Sequence, residues 1–185
     1  MNAAAPTVRF PAAARFHTEW GMPMDSISMH ICTEEDLDHL ATLNKQLIED
    51  ERHDNPMNTE QLKERMKGFL RTDYKAYKFI RDGEIVGYAL VNHARQPLYL
   101  RHFFICREHR RKGYGTAAFR LLMNHLNTDA IDVEVMVWNE RGHRFWQSLG
   151  FKERSVFLRL DGKAHDRDRL AEGSLSCLRT DQNGQ

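Results

Sequence analysis

The sequence predicts a mixed α/β (α+β) domain whose elements follow the order β-α-α-β-β-β-α-β-α-β. Some segments alternate apolar and polar residues as strands do, others repeat apolar residues at helical spacing, and turn signals separate them. The strands on either side of the third helix should be parallel, because a helical crossover usually returns the chain in the same direction. The 185 residues are enough for one domain with a full core.

The first part of the chain is predicted to contain one strand, two helices and three further strands. A capping box, Thr33-Glu34-Glu35-Asp36, predicts the start of the first helix. Asp82-Gly83 is typical of a tight hairpin turn, because the central residues of such a turn need positive φ. In chain order, the predicted elements are a strand at 26–31, helices at 33–50 and 59–70, and strands at 74–80, 84–92 and 98–105.

The stretch 103–116 is the centre of the sequence. It runs from an apolar strand, through a basic loop with two glycines, into a helix whose apolar residues recur at helical spacing. A helix that begins at such a loop presents unpaired backbone N–H groups at the positive end of its dipole. Gly113 and Gly115 let a ligand approach the backbone closely. The stretch therefore predicts a binding site for a phosphate or pyrophosphate.

The spacing of the glycines excludes two common phosphate loops. No Gly-Lys-Ser/Thr follows, as a Walker loop requires, and the third glycine of the dinucleotide fingerprint is missing. The pattern that stands, Arg110-x-x-Gly113-x-Gly115 after a strand, resembles the coenzyme A pyrophosphate loop of the GNAT acetyltransferase superfamily. Taken alone, this motif has a basic, solvated helix start as its alternative interpretation.

A second motif follows in the order and at the separation typical of that superfamily. A predicted strand at 131–139 ends in Asn139 and leads into a short helix with a Phe-aromatic pair, which is followed by Leu149-Gly150-Phe151. Gly150 stands where a helix is expected to end in the left-handed conformation. A last strand is predicted over about 151–160, and the resemblance covers 29–160.

The resemblance implies a GNAT-like mixed, mostly antiparallel twisted sheet with helices on both faces. It also implies that the two parallel strands splay apart and that coenzyme A lies between them. Asn139 is expected to contact the coenzyme, to cap the following helix, or to do both. The cofactor-binding residues that the resemblance implies are Phe104, Ile105, Arg110, Arg111, Lys112, Gly113, Tyr114, Gly115, Thr116 and Asn139.

By the same resemblance, the chain is expected to be an acetyl-CoA-dependent N-acetyltransferase, an acyltransferase that moves an acetyl group directly to a primary amine of a small molecule or protein. The superfamily usually places a Tyr proton donor where this chain has Trp146, and an indole N–H is not a usable acid. Trp146 is expected to stabilise the sulfur or to pack, and Tyr99 or Tyr114 would be other acids. The alternative function is a catalytically weak or inactive acyl-CoA-binding sensor or interaction domain.

Two residues on the central strands are candidates for the general base. His102 precedes the loop, and its ordinary pKa suits proton uptake at neutral pH. The alternative for His102 is a partly buried, hydrogen-bonded ring without a catalytic role. Glu134, on the neighbouring strand, is a second candidate for the base, an amine anchor or an exposed residue.

The acceptor site is expected near the loop between the first two helices. Glu49, Asp50, Glu51 and Asp54 are located there, and carboxylates would suit a cationic amine such as a polyamine, an aminoglycoside, a lysine or an N-terminal amine. The alternative is a solvated acidic loop, and the sequence does not select among these amines. No metal is expected, because the ten histidines show neither H-x-x-H nor H-E-x-x-H spacing.

Composition limits the partners and the compartment. The formal net charge is +1, so the basic run at 107–112 is local and a nucleic-acid partner is disfavoured. No apolar run is long enough to span a bilayer, so no membrane partner is expected. Three cysteines without ligand or disulfide spacing suit a reducing cytoplasm. A homodimer is an open expectation.

The ends of the chain are predicted to be flexible tails. Residues 1–25 lack periodicity, and residues 161–185 are polar and contain few aliphatic side chains. The N-acetyltransferase domain is therefore expected over 26–160.

Overall fold

The computed structural model describes residues 27–156 and 158–160. The chain divides after Leu149 into two compact units, which are described separately. In the first unit, residues 27–149 contain five strands and four α-helices, with short 3-10 turns before α1 and before α3. These elements are β1 (Ser28–Ile31), α1 (Leu37–Asp50), α2 (Thr59–Leu70), β2 (Tyr74–Arg81), β3 (Glu84–Asn92), β4 (Leu98–Ile105), α3 (Tyr114–Leu126), β5 (Ile131–Val133) and α4 (Glu140–Ser148).

The strands form one sheet in the order β1-β2-β3-β4-β5. The first three pairs are antiparallel and the β4–β5 pair is parallel, because α3 carries the chain back before β5 begins. The mixed, mostly antiparallel sheet predicted from the sequence is confirmed.

Helices cover both faces of this sheet. Successive strand residues point to opposite faces, so Phe103 and Phe104 enter different cores. Phe104 belongs to a cluster with Tyr88 and Leu90 that also holds buried residues of α1 and α2. Phe103 instead contacts aromatic rings of α3 and α4. This arrangement matches the prediction of helices on both faces.

Local signals end or begin several elements as predicted. The Thr33 hydroxyl and the Asp36 carboxylate form a capping box, which starts a 3-10 turn directly before α1. Asp82 and Gly83 have φ of 50° and 84°, as a hairpin turn between β2 and β3 needs. Gly150, after α4, has φ of 93°.

The parallel pair is short, and this corrects the predicted strand over 131–139. Leu98–Leu100 pairs with Ile131–Val133, and the pairing stops there. Next along β4, Arg101 is an extra residue in the ladder with β3. Such a bulge bends a strand and re-aims its side chains, so β4 no longer follows β5. The chain after Val133 therefore has no strand partner in the described part and is not a strand.

The predicted last strand is also corrected. In the second unit, residues 150–156 and 158–160 contain neither strand nor helix. The side chains of Val156, Leu158 and Leu160 are 74%, 86% and 97% exposed. A strand is stable only with a ladder partner and a buried face, and these described residues have neither. The predicted tails lie outside the described residues.

Candidate functional site

The loop between β4 and α3 ends in an open, uncapped helix start. Arg111 and Gly113 both have left-handed backbone, with φ of 58° and 81°. The first N–H groups of any helix lack intrahelical acceptors, and no side chain in the described part of the chain caps those of α3. A Cβ added at Gly113 would meet nothing within 4 Å. Open space in front of unpaired N–H groups is what an anion site requires.

Gly115 has a packing reason of its own. A Cβ there would lie 3.1 Å from Cε2 of Phe145, which belongs to α4. The glycine therefore allows α3 and α4 to approach each other, whereas the sequence suggested only close approach of a ligand. Thr116 and Tyr114 are half-buried in the same first turn. Tyr114 lies under the Arg81 guanidinium, 4.7 Å from ring centroid to Cζ.

The Arg110 side chain turns away from the helix start. Its Nε donates to the Ile105 carbonyl at 2.7 Å, and its guanidinium also donates to Asp50. It lies over the Phe104 ring, with Cζ 5.0 Å from the centroid. Arg110 thus fixes the loop to β4 and α1. The neighbouring Lys112 donates to a loop carbonyl at 2.9 Å.

The acidic residues at the end of α1 are largely engaged by arginines. Asp50 is 15% exposed and accepts hydrogen bonds from Arg107 and Arg110. Partial burial alone would raise the pKa of Asp50, but these two hydrogen bonds outweigh it and hold the pKa below its ordinary value. Glu49 pairs with Arg107 at 3.2 Å. Asp54 is exposed, with Oδ1 3.0 Å from the ring of the adjacent histidine.

The open edge of β4 begins where β5 departs. Beyond Leu100, the strand has no partner on this side among the described residues. Phe104 and Ile105 are buried, so their backbone rather than their side chains borders the gap. The gap and the start of α3 are adjacent along the chain, because the loop from 106 to 113 joins them.

Trp146 lies in an aromatic cluster. Its side chain is 8% exposed and packs on Phe103, Phe119 and Phe145, with centroid distances of 5.4, 5.5 and 4.8 Å. Packing, one of its two predicted roles, is therefore present. Tyr99 does not supply an obvious acid, since burial and then Glu134, to which its hydroxyl donates, raise its pKa to about 12.

His102 is the last member of a chain of hydrogen-bonded side chains. The Asn44 amide donates to the Tyr88 oxygen, and the Tyr88 hydroxyl lies 3.1 Å from Nδ1 of His102. Burial raises the pKa of Tyr88, so the hydroxyl stays protonated and donates a hydrogen bond to Nδ1. Nε2 of His102 then carries the ring proton.

The electrostatics of His102 disfavour the predicted role as a base. Burial, followed by the charges of Arg101 and Arg65, lowers its pKa to about 3. A ring with so low a pKa stays neutral at neutral pH and takes up a proton poorly. It is better suited to donate a hydrogen bond from Nε2.

The low pKa of His102 predicts a loss of stability on acidification. Between the ordinary value of 6.5 and about 3, the unfolded chain binds a proton that the folded chain refuses. The free energy of unfolding should therefore fall as pH drops through this window, by at most about 1.4 kcal/mol per pH unit for one group. Urea unfolding at several pH values should show a steeper fall in the wild type than in His102→Asn. Equal slopes would contradict the assignment.

Glu51 and Asn139 connect the end of α1 to the start of α4. The Asn139 Oδ1 accepts from the Gly142 N–H at 2.9 Å, which is the predicted capping role, and its amide donates to Glu51. Burial, the largest cause, raises the pKa of Glu51. The exposed Trp138 donates from its indole to the Glu51 carbonyl at 2.7 Å.

Several of these residues were absent from the predicted site. Arg101 had a usable signal, since it is a charged residue inside a mostly apolar strand. Glu51 was one of several acids expected at the acceptor site, but nothing local marked it as the partner of Asn139. The residues that the structure adds are Asn44, Arg65, Tyr88 and Arg101.

Residues 27–156 and 158–160 contain neither a candidate metal site nor a membrane-spanning helix. No group of three or more His, Cys, Asp or Glu side chains there is arranged to hold a metal ion. No helix in those residues has the length and apolar character needed to cross a membrane.

Comparison with known proteins agrees with this geometry. A sequence profile of the Acetyltransferase (GNAT) family matches residues 37–151. No curated protein sequence matches the chain.

Solved structures resemble the fold at low sequence identity. A possible acetyltransferase from Clostridium difficile is 18% identical, with a TM-score of 0.61 over 76% of this chain and 100% of that one. A predicted acetyltransferase with acetyl-CoA from Clostridium acetobutylicum is 14% identical, with a TM-score of 0.58 over 73% and 96%. The aminoglycoside N-acetyltransferase AAC(6')-Iy in complex with CoA is 16% identical, with a TM-score of 0.58 over 75% and 95%.

The family profile spans more than half of the chain and includes both the loop before α3 and the asparagine that caps α4. The chain belongs to the acetyltransferase (GNAT) family.

Proposed function

We propose that the protein is an acetyl-CoA-dependent N-acetyltransferase that transfers the acetyl group directly to a primary amine of a small molecule or protein. The observation that carries this proposal is the early parting of β4 and β5 beside the uncapped start of α3. A gap between parallel strands can take an extended thioester arm, and the helix start can take a diphosphate. Structural relatives that contain acetyl-CoA or CoA support the same co-substrate.

The chain's own groups divide the binding work. Backbone N–H groups at 112–116 would hold the pyrophosphate, and the backbone of 103–105 would pair with the pantetheine arm. One N–H of that segment would donate to the thioester oxygen, which gains negative charge as the amine attacks. The amine nitrogen forms a bond to the acetyl carbon, the carbon–sulfur bond breaks, and the amine loses one proton while the thiolate gains one.

Glu51 is the best-suited proton acceptor in this arrangement. Its raised pKa brings it nearer to neutral pH than an ordinary carboxylate, and Asn139 orients it. His102 would instead donate a hydrogen bond from Nε2, and Glu134 would hold Tyr99. This assignment differs from the sequence-based expectation, which placed the base on His102 or Glu134.

The experiment that tests the proposal measures free thiol in the presence of acetyl-CoA and a panel of primary amines. Amine-dependent release of coenzyme A, with the acetylated amine identified by mass spectrometry, would support it. Micromolar acetyl-CoA binding without turnover of any amine would favour the second candidate, a sensor or interaction domain that binds acyl-CoA. The burial of Trp146 where a tyrosine acid is usual favours that candidate.

Trp146→Tyr is expected to keep or raise any acetyl transfer. The thiol has a pKa of about 8.5, so releasing it as a bare thiolate costs roughly 2 kcal/mol at neutral pH. A phenol that donates its proton to the sulfur would remove part of this cost. Steady-state rates of thiol release would be compared with those of Trp146→Phe, which keeps a ring but has no donor. A severe loss in Trp146→Tyr alone would show that the indole has a specific role beyond packing.

Cytoplasmic location and homodimer formation stay predictions, as does the lack of nucleic-acid and membrane partners. The balanced charge of the whole chain supports the prediction of no nucleic-acid partner.

A further inference from the structure

Two arginines converge on one phenylalanine beside the gap. Arg65 and Phe69 come from α2, and Arg101 is the bulge residue of β4. The Arg65 Cζ lies 5.4 Å from the Phe69 ring centroid, and the Arg101 Cζ lies 5.0 Å from the same centroid. The His102 ring meets the Phe69 ring edge-on at 6.3 Å. The bulge thus brings two consecutive side chains of β4 onto the face that α2 covers.

These two arginines have no directly paired carboxylate in the described part of the chain. Neither guanidinium makes an ion pair or a hydrogen bond with residues 27–156 or 158–160, and the Arg101 Nε is buried without an acceptor. Burial and then the neighbouring Arg101 charge lower the pKa of Arg65, so the two cations oppose each other. Stacking on a ring offsets part of this cost but leaves the N–H donors unsatisfied.

Glu134 and Glu51 do not pair with either arginine. Glu134 accepts a hydrogen bond from Tyr99, and Glu51 accepts one from Asn139. Other arginines of the chain do have carboxylate partners. Arg107 and Arg110 both pair with Asp50, and Arg71 pairs with Glu34. Both arginines of the pair are only half-buried, so part of each side chain is accessible to a ligand.

We infer that Arg65 and Arg101 bind a carboxylate or phosphate group of the acceptor, so that the substrates are primary amines that carry an anionic group. This inference rests on the proposed function, because the pair lies at the point where β4 leaves β5. A planar guanidinium can bind an oxyanion with two parallel hydrogen bonds. The inference reverses the cationic acceptor suggested by Glu49 and Asp50, whose carboxylates are already paired with arginines.

Matched amines test the anionic group directly. Each common amino acid would be compared with the amine left after decarboxylation, for example lysine with cadaverine. Glucosamine 6-phosphate would be compared with glucosamine, which lacks the phosphate. Thiol release from acetyl-CoA should be faster for the anionic member of at least one pair, by roughly 10- to 100-fold in kcat/KM, the range expected for charge-assisted hydrogen bonds. The carboxylate and phosphate arms separate the two sources of the anion. If the amines without a carboxylate or phosphate react equally fast or faster in every pair, the inference is overturned.

Variants assign the effect to the two arginines. Arg65→Gln and Arg101→Gln should raise KM for the anionic amine by about tenfold or more and leave KM for acetyl-CoA within about twofold. Arg71→Gln is the matched control, because it removes the same charge from the end of α2, where Arg71 pairs with Glu34. An unchanged KM for the anionic amine in both test variants would overturn the inference.

A binding measurement separates this inference from the proposed function. Calorimetric titration of the same amine pairs would be run on the wild type and on Arg101→Gln, with and without saturating coenzyme A. If the wild type binds the anionic amine and Arg101→Gln does not, the anion site is supported even if no acetyl group is transferred. Anionic members that bind no more tightly than their counterparts would overturn it, even if acetyl transfer to other amines is found.

Discussion

Gly113→Val is expected to abolish measurable binding of acetyl-CoA while leaving the fold largely intact. Gly113 has φ of 81°, which a β-branched residue adopts only with strain of about 1–3 kcal/mol. Its Cβ would point into open space, so no neighbouring atom in the protein is displaced. The added side chain would instead occupy the space where a diphosphate must approach the N–H groups of α3. Isothermal titration calorimetry would measure the affinity, and thermal unfolding would measure the stability.

Gly83→Val is the matched control for this prediction. Gly83 has φ of 84° and also has nothing within 4 Å of its added Cβ, but it lies in the hairpin between β2 and β3. The two variants therefore share the backbone strain and differ in position. Wild-type affinity in Gly113→Val, or an equal loss in both variants, would mean that the helix start does not hold the co-substrate.

Asp50→Ala is expected to destabilise the protein by about 2 kcal/mol, less than the loss of a fully buried ion pair because Asp50 keeps some solvent contact. It would leave Arg110 and Arg107 without their shared carboxylate. Since Arg110 also holds the Ile105 carbonyl, the loop before α3 should become less ordered, and acetyl-CoA affinity should fall. Urea unfolding monitored by circular dichroism would give the free energy of unfolding.

Glu49→Ala provides the comparison for stability. Glu49 makes the half-exposed part of the same network, and such pairs contribute at most about 1 kcal/mol. The lowered pKa of Asp50 also sets the sign with pH: its stabilisation is present above the ordinary value of 3.8 and is lost as pH falls through the folded value. Equal destabilisation by the two variants at neutral pH would contradict the network described here.

Local patterns predicted most of the fold. Helical spacing found α1, α2 and α3, and the turn chemistry of Asp82-Gly83 found the hairpin. The length of β5 could not be predicted, because Val133, Val135 and Val137 alternate correctly for a strand. Pairing ends there because of a bulge in β4, which is a property of another segment.

Part of the candidate site was predictable from local motifs, and part depends on contacts between distant segments. The glycine-bracketed loop and the capping Asn139 were visible as motifs, because their roles depend on nearby backbone. The partners of Asp50 and the convergence of Arg65 with Arg101 were not, because they join residues far apart in the chain. Burial also lowers the pKa of His102 to about 3, which the ordinary pKa of a histidine in the sequence did not indicate.

The most direct measurement of the central claim is a ¹H–¹⁵N NMR titration of the full chain with coenzyme A. The largest amide shifts are expected at 112–116, the start of α3, and at 103–105, the open edge of β4. Binding that leaves the amides of both segments unmoved, or no binding at millimolar coenzyme A, would contradict that claim.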